Sequence, residues 1–257
     1  MGFEYASGDN LQYNPSKAMA WYEKAATNGF VMAQYNLGVM YADGVHIEPN
    51  IKKAIHWYEK AAERGDESAQ MNLGQIYLHG DKVEKDYEKS IHWFRKAADQ
   101  QRAKAIYLLG TLYLHGKVVE QNLNHSKAWF QNLRKLADDG NAEAAFFVGM
   151  QFGMGDGEEQ SLSECMRWIS VSAKGGYPDA QLGLGAAYEH GDGVKQDMDQ
   201  AIRWYRAAAE QDEPTAQTSL GVIYAKEENF EEAKKWFTKA ARQGSKDAME
   251  YLNSLPN

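Results

Sequence analysis

Apolar residues recur along this chain at helical spacing, and the clusters they form repeat. In AQYNLGVMY, Ala33, Leu37 and Tyr41 stand four apart, on one face of a helix. A second kind of segment follows, AIHWYEKAAERG, with a small residue, a Trp–aromatic pair and two alanines. The two kinds alternate throughout. Trp21, Trp57, Trp93, Trp129, Trp168, Trp204 and Trp236 mark the second kind, at separations of 36, 36, 36, 39, 36 and 32. Gly2, Gly38, Gly74, Gly110, Gly149, Gly185 and Gly221 mark the first; each precedes its Trp by 19 residues, or by 15 in the last case. Seven positions before every Trp stands Asn14, Asn50, Asp86, Asn122, Ser161, Asp197 or Asn229. These side chains accept a hydrogen bond from the free N–H groups at a helix start. Gly44, Gly80, Gly116 and Gly191 follow the first helices, where a left-handed cap costs glycine little. The pattern predicts pairs of short antiparallel helices.

A pair this short cannot bury its own apolar face, so neighbouring pairs must stack. The expected fold is all-α, a right-handed α-solenoid of antiparallel helix pairs with about 36 residues per repeat. The glycine series is expected to let the two helix backbones approach, with Trp filling the space between neighbouring units. Residues 1–257 read as a single repeat domain: a truncated first repeat over 1–32, six repeats over 33–247 and a capping helix over 248–257. Gly2 falls on the repeat glycine, so the chain enters partway along a first helix. Near the other end Asn253 takes the glycine position, and Pro256 stops the helix. Three extra residues within WFQNLRKLADDG lengthen a second helix or add a bulge, and the loop in YAKEENFEEA is four residues shorter than its equivalents.

Composition narrows what such an array does. The chain is 44% hydrophobic and 25% charged, which excludes disorder, and its net charge of −8 with no Lys/Arg run disfavours nucleic acid. No stretch approaches the roughly 20 apolar residues of a membrane span, so direct membrane insertion is not expected. The first 30 residues lack the order of a signal peptide. A periplasmic or secreted location is expected if a signal was removed upstream of residue 2, and a cytoplasmic one otherwise. The lone Cys165 cannot form an internal disulfide.

LGVMYADG…IKKAIHWYEKAAERGDESAQ and AQLGLGAAYEHGDGVKQDMDQAIRWYRAAAEQ resemble the Sel-one-like repeat family, relatives of the tetratricopeptide repeats with a longer loop between helices. The resemblance covers essentially the whole chain. It implies an adaptor that binds a partner protein or peptide on a concave face, as a bacterial, envelope- or virulence-associated scaffold. A narrower alternative is an immunity protein that binds and neutralises a secreted toxin. A hydrolase or β-lactam-binding protein comes third, and the lone cysteine sets the chain apart from the cysteine-rich branch linked to penicillin binding.

Tetratricopeptide geometry, carried over by this resemblance, draws the concave wall from first-helix positions around each repeat glycine. The candidate partner-binding residues are Tyr35 and Asn36; Met71, Asn72, Gln75 and His79; Tyr107, Thr111 and His115; Phe146, Phe147, Met150 and Met154; and Glu189 and His190. The full wall also takes in Val39, Ala42, Asp43, Leu78, Leu108, Leu114, Gly153, Leu182, Gly183, Ala186, Thr218, Ser219, Val222, Ala225 and Lys226, and of its positions only Asp43, Glu189 and Lys226 are charged. Its aromatic and methionine centre suits a partner segment with apolar anchors.

No catalytic, cofactor or metal residues are expected. Cys165 aligns with Ala18, Ala54, Ser90, Ser126, Ala201 and Ala233, a column of small packing residues. His79, His115 and His190 share one repeat position and His56 and His92 another, neither with the spacing of a metal pair on one helix. GMGDGEE and GDGV join helices and so read as turns, and there is no GxSxG or Walker sequence. The chain reads as a non-enzyme free of cofactors; its oligomeric state is left open, with a monomer favoured.

Overall fold

The computed structural model describes residues 15–44, 47–80, 82–116 and 119–256; Gly2 and Asn14 lie outside them. The described residues form fourteen α-helices and no strand. In chain order they are α1 (Pro15–Thr27), α2 (Val31–Asp43), α3 (Ile51–Glu63), α4 (Glu67–His79), α5 (Tyr87–Asp99), α6 (Ala103–His115) and α7 (Leu123–Asp138). Then follow α8 (Ala142–Met154), α9 (Leu162–Lys174), α10 (Pro178–His190), α11 (Met198–Ala209), α12 (Pro214–Lys226), α13 (Phe230–Arg242) and α14 (Lys246–Ser254).

The chain divides into two compact units, residues 1–122 and 123–257. Within each, every described helix packs on the next in sequence, which is the all-α solenoid pattern of helix pairs.

Local chemistry places the boundaries. Asn50, Asp86, Ser161, Asp197 and Asn229 each accept the backbone N–H three residues on, at the starts of α3, α5, α9, α11 and α13. First helices carry caps of their own at Asp66, Asn141, Glu213 and Ser245. Gly44, Gly80, Gly116 and Gly191 end α2, α4, α6 and α10 in the left-handed conformation, and Gly155 does the same for α8. The three-residue insertion is helical: α7 has 16 residues where α3, α5 and α9 have 13. The short loop after α12 turns through Glu228 at a φ of 60° instead of a glycine.

The glycine series works differently from the expectation. It receives the side chain that follows each Trp: Tyr58 lies on Gly38, Phe94 on Gly74, Ile169 on Gly149, Tyr205 on Gly185 and Phe237 on Gly221. A methyl group at Gly38 or Gly74 would fall inside the ring carbons of Tyr58 or Phe94. Phe94 is fully buried there, a placement worth roughly 2–3 kcal/mol. Trp93 and Trp168 are buried, whereas Trp57, Trp129, Trp204 and Trp236 are half-buried and Trp21 is exposed. Lysines three residues on lie over Trp21, Trp57, Trp93 and Trp236.

A buried glutamine joins successive repeats. The Nε2 groups of Gln34, Gln70, Gln181 and Gln217 donate to the carbonyls of Ala26, Ala62, Ala173 and Ala209 at 3.0–3.1 Å, on the preceding second helix. Their carbonyl ends face the end of their own pair: Gln70, Gln181 and Gln217 accept from Gln100, Gln211 and Gln243 at 2.8–3.0 Å. Arg64 stands at that place for Gln34 and donates instead to the Gly29 carbonyl at 2.6 Å, leaving Gln34 Oε1 buried and unbonded.

Candidate functional site

Unit one holds a groove of about 430 Å³ between α2, α3 and α4. The half-buried Val39, Ile51 and Ile76 line it, and beneath them the buried Tyr58 ring is seated on Gly38. Tyr35 closes one side, its ring centroid 5.9 Å from that of Tyr58. Space is left over the floor because Ala42 occupies a first-helix position held by Leu78 and Leu114 in the following repeats.

Polar groups surround this floor. Burial, above all, pushes the Tyr58 phenol well above its ordinary pKa, so it stays protonated; Asn72 is hydrogen-bonded to it. Asn36 holds the same relation to Tyr22 one repeat earlier. Gln75 and His79 line the groove and make no hydrogen bond among the described residues. Asp43 and His79 end α2 and α4, where the helix dipole is negative. Lys82 crosses from the next loop and donates to the Ala42 carbonyl at 3.0 Å, compensating the end of α2.

Of the fifteen sequence candidates, Tyr35, Asn72, Gln75 and His79 come together here, and Glu189 lines a separate groove in unit two. His115, His190 and Met154 are exposed; Asn36, Thr111, Phe146 and Met150 are half-buried. Thr111 turns its hydroxyl to the Leu108 carbonyl. Phe146 packs edge-on to Phe147 at 5.3 Å and against Tyr177 at 5.2 Å. Met71, Tyr107 and Phe147 are buried and offer a partner little surface. For Met71 and Phe147 the helices pack second helices on two sides, α4 against α3 and α5 and α8 against α7 and α9, so the buried arc wraps past the wall.

The sequence reading missed Tyr58, Ile51, Ile76 and Lys82. Tyr58 carried a signal: the residue after Trp is Tyr at positions 22, 58 and 205 but Phe or Ile elsewhere, and only a tyrosine brings a hydroxyl to the groove floor.

Cys165 is half-buried, packed 3.2 Å from where a methyl at Gly153 would sit, and burial pushes its thiol pKa up. His56 and His92 are exposed and lie edge-on to Trp57 and Trp93. Among the described residues no three His, Cys, Asp or Glu side chains are grouped to hold a metal, and no helix is long and apolar enough to cross a membrane.

This repeating geometry has a family. The Sel1 repeat model matches residues 1–30, 31–66, 67–101, 103–138, 142–177, 178–213 and 214–245. The chain belongs to the Sel1 repeat family. Sel1 repeats mediate protein interactions and build scaffolds. Among solved structures, a protective antigen of uropathogenic Escherichia coli with an SLR fold is 32% identical over 99% of this chain, with a TM-score of 0.56. The chain spans 55% of that antigen's length. A Sel1 repeat protein from Oxalobacter formigenes is also 32% identical over 99% of this chain and 74% of its own length, with a TM-score of 0.58. An immunity protein from Pseudomonas aeruginosa shares the fold at 18% identity, covering 81% of this chain and 80% of its own, with a TM-score of 0.57. No curated protein matches the chain.

Proposed function

We propose that this Sel1 repeat protein is a non-catalytic scaffold that grips a segment of a partner protein in the groove of unit one. The observation that carries the reading is the opening at Ala42, lined by the half-buried Tyr35, Val39, Ile51 and Ile76 over the buried Tyr58 ring and edged by the Gln75 and His79 side chains and by Asp43. An apolar floor with a few convergent polar groups suits an anchor side chain, while the Gln75 amide can pair with a peptide backbone. The raised thiol pKa of Cys165 supports the non-catalytic part, since it lowers the fraction present as the nucleophilic thiolate.

Ala42→Leu tests it. The following repeats already hold leucine at this position, so the fold should tolerate the change while the groove fills. Peptides selected from a displayed random library on the intact chain should lose at least about tenfold in affinity for the variant, a loss of about 1.4 kcal/mol. Circular dichroism and melting temperature should stay the same. Selected peptides that bind both proteins equally would refute the groove as the site.

A second reading makes the partner a secreted toxin, motivated by the fold shared with the Pseudomonas aeruginosa immunity protein. It expects a toxin gene beside this one and inhibition of its product by the purified chain. A neighbouring toxin that stays fully active with excess chain would end that reading.

A further inference from the structure

Unit two carries another groove, of about 510 Å³, at the C-terminal turn of α10, along α12 and at the start of α14. Glu189 and Asp247 line it, and no basic side chain does. Three hydrogen-bond donors at it are directed into the protein. The Tyr205 hydroxyl beneath it donates to Glu189 Oε2 at 2.7 Å, Thr218 Oγ1 to the Pro214 carbonyl at 2.8 Å, and Gln243 Nε2 to Gln217 Oε1 at 3.0 Å.

Each of the two helix starts also carries a side-chain cap. The Ala216 N–H is taken by the Glu213 carboxylate and the Ala248 N–H by Ser245, so at each helix start one amide is already committed within the protein. Lining the groove are residues that carry acceptors: Glu189, Asp247 and Gln243. Tyr251 adds a ring, stacked on Phe237 at a centroid distance of 5.1 Å and 43% exposed, over which a cation or its alkyl stem can lie. The wider field has the same sign. Residues 123–257 hold 21 acidic and 14 basic side chains, whereas residues 1–122 hold 15 and 14.

We propose that this groove binds a Lys- or Arg-bearing segment of a partner protein, its cationic side chains paired with Glu189 and Asp247 and their stems lying along Tyr251. An acidic segment would meet two carboxylates and no basic side chain. The inference stands apart from the groove of unit one, because its residues and its charge are different.

The probes are fluorescein-labelled nonapeptides of alternating Ala and Arg, with counterparts bearing Glu or Gln in place of Arg, titrated with the intact chain by fluorescence anisotropy. Only the Arg peptide should bind, less tightly as salt rises. Glu189→Gln combined with Asp247→Asn should weaken it by at least about tenfold. Glu158→Gln with Glu159→Gln removes the same charge from an exposed loop of the same unit and should cost less than about twofold. Thr215→Lys adds a cation at the groove edge, at a position where an earlier repeat already carries Lys104, and should also weaken binding. Ala42→Leu should leave it unchanged, so failure here and failure in unit one are read separately. Equal losses in the two double variants, unaltered binding by Thr215→Lys, or equal affinity for the Glu peptide would overturn the proposal.

Discussion

Arg64 stands where other repeats have Gln100, Gln211 or Gln243, and the difference leaves one buried oxygen, Gln34 Oε1, without a donor. Gln211 shows what a glutamine can do there: its one amide nitrogen reaches both Gln181 Oε1 at 2.8 Å and the Gly176 carbonyl at 3.0 Å. Arg64→Gln should therefore satisfy Gln34, keep the bond to Gly29 and stabilise the protein by about 1 kcal/mol. A urea midpoint that falls, or does not move, would count against it. Two helical glycines give a paired expectation. Gly74→Ala drives a methyl into the buried Phe94 ring and should destabilise by about 1–3 kcal/mol despite alanine's better helix propensity. At exposed Gly183, where a methyl would meet nothing, the same change should stabilise by roughly 0.5–1 kcal/mol. Urea midpoints that shift in the same direction for both would contradict this account of the glycine series.

Helix boundaries were legible in the sequence because capping is local: Asn50 or Asp86 needs only the three residues that follow it. The positions facing the groove were harder to read. First helices such as α6, AKAIYLLGTLYLH, are apolar nearly all round, so periodicity alone could not separate Tyr107, which turns inward, from wall positions that stay open. The glutamine contacts had a visible trace, a Gln four residues before the glycine in Gln34, Gln70, Gln181 and Gln217, but the glutamines that donate to them lie 26 to 30 residues away and no local rule pairs them. At the start of α5, the backbone N–H of Lys89, above all, holds the Asp86 carboxyl below the usual carboxylate range. A group whose folded pKa is depressed contributes stability that is complete above its unfolded value of about 3.9 and is lost as pH falls through the lower folded value. Asp86→Asn keeps the cap acceptor, as Asn50 and Asn229 do, and removes the titration. The stability gap between the two proteins at pH 6 should close as pH drops below about 4. A gap in urea midpoint that persists at acid pH would show that the charge is not its source.

At the scale of the whole molecule, two units built by one rule carry different chemistry. The first is close to electrically neutral, with a groove floored by Tyr58, Ile51 and Ile76; the second is acidic, with Glu189 and Asp247 along its groove. The architecture could be read from the register of Trp and Gly, since a period repeated seven times overrides any single irregularity. Which side chains ring each groove depended on a position that varies between repeats, Ala42 where the next two have leucine and Glu189 beside Tyr205, and a consensus reading passes over such variation. The buried glutamines also bear on how such a chain changes length over generations. Gln181 and its donor Gln211 both lie within residues 178–213. Were recombination to excise that block, Gln217 would arrive opposite the Ala173 carbonyl with Gln243 still attached to it, and no buried amide would be orphaned. Genes for arrays of this kind can thus gain or lose one repeat at a time, and with it a groove, without passing through an unfolded ancestor.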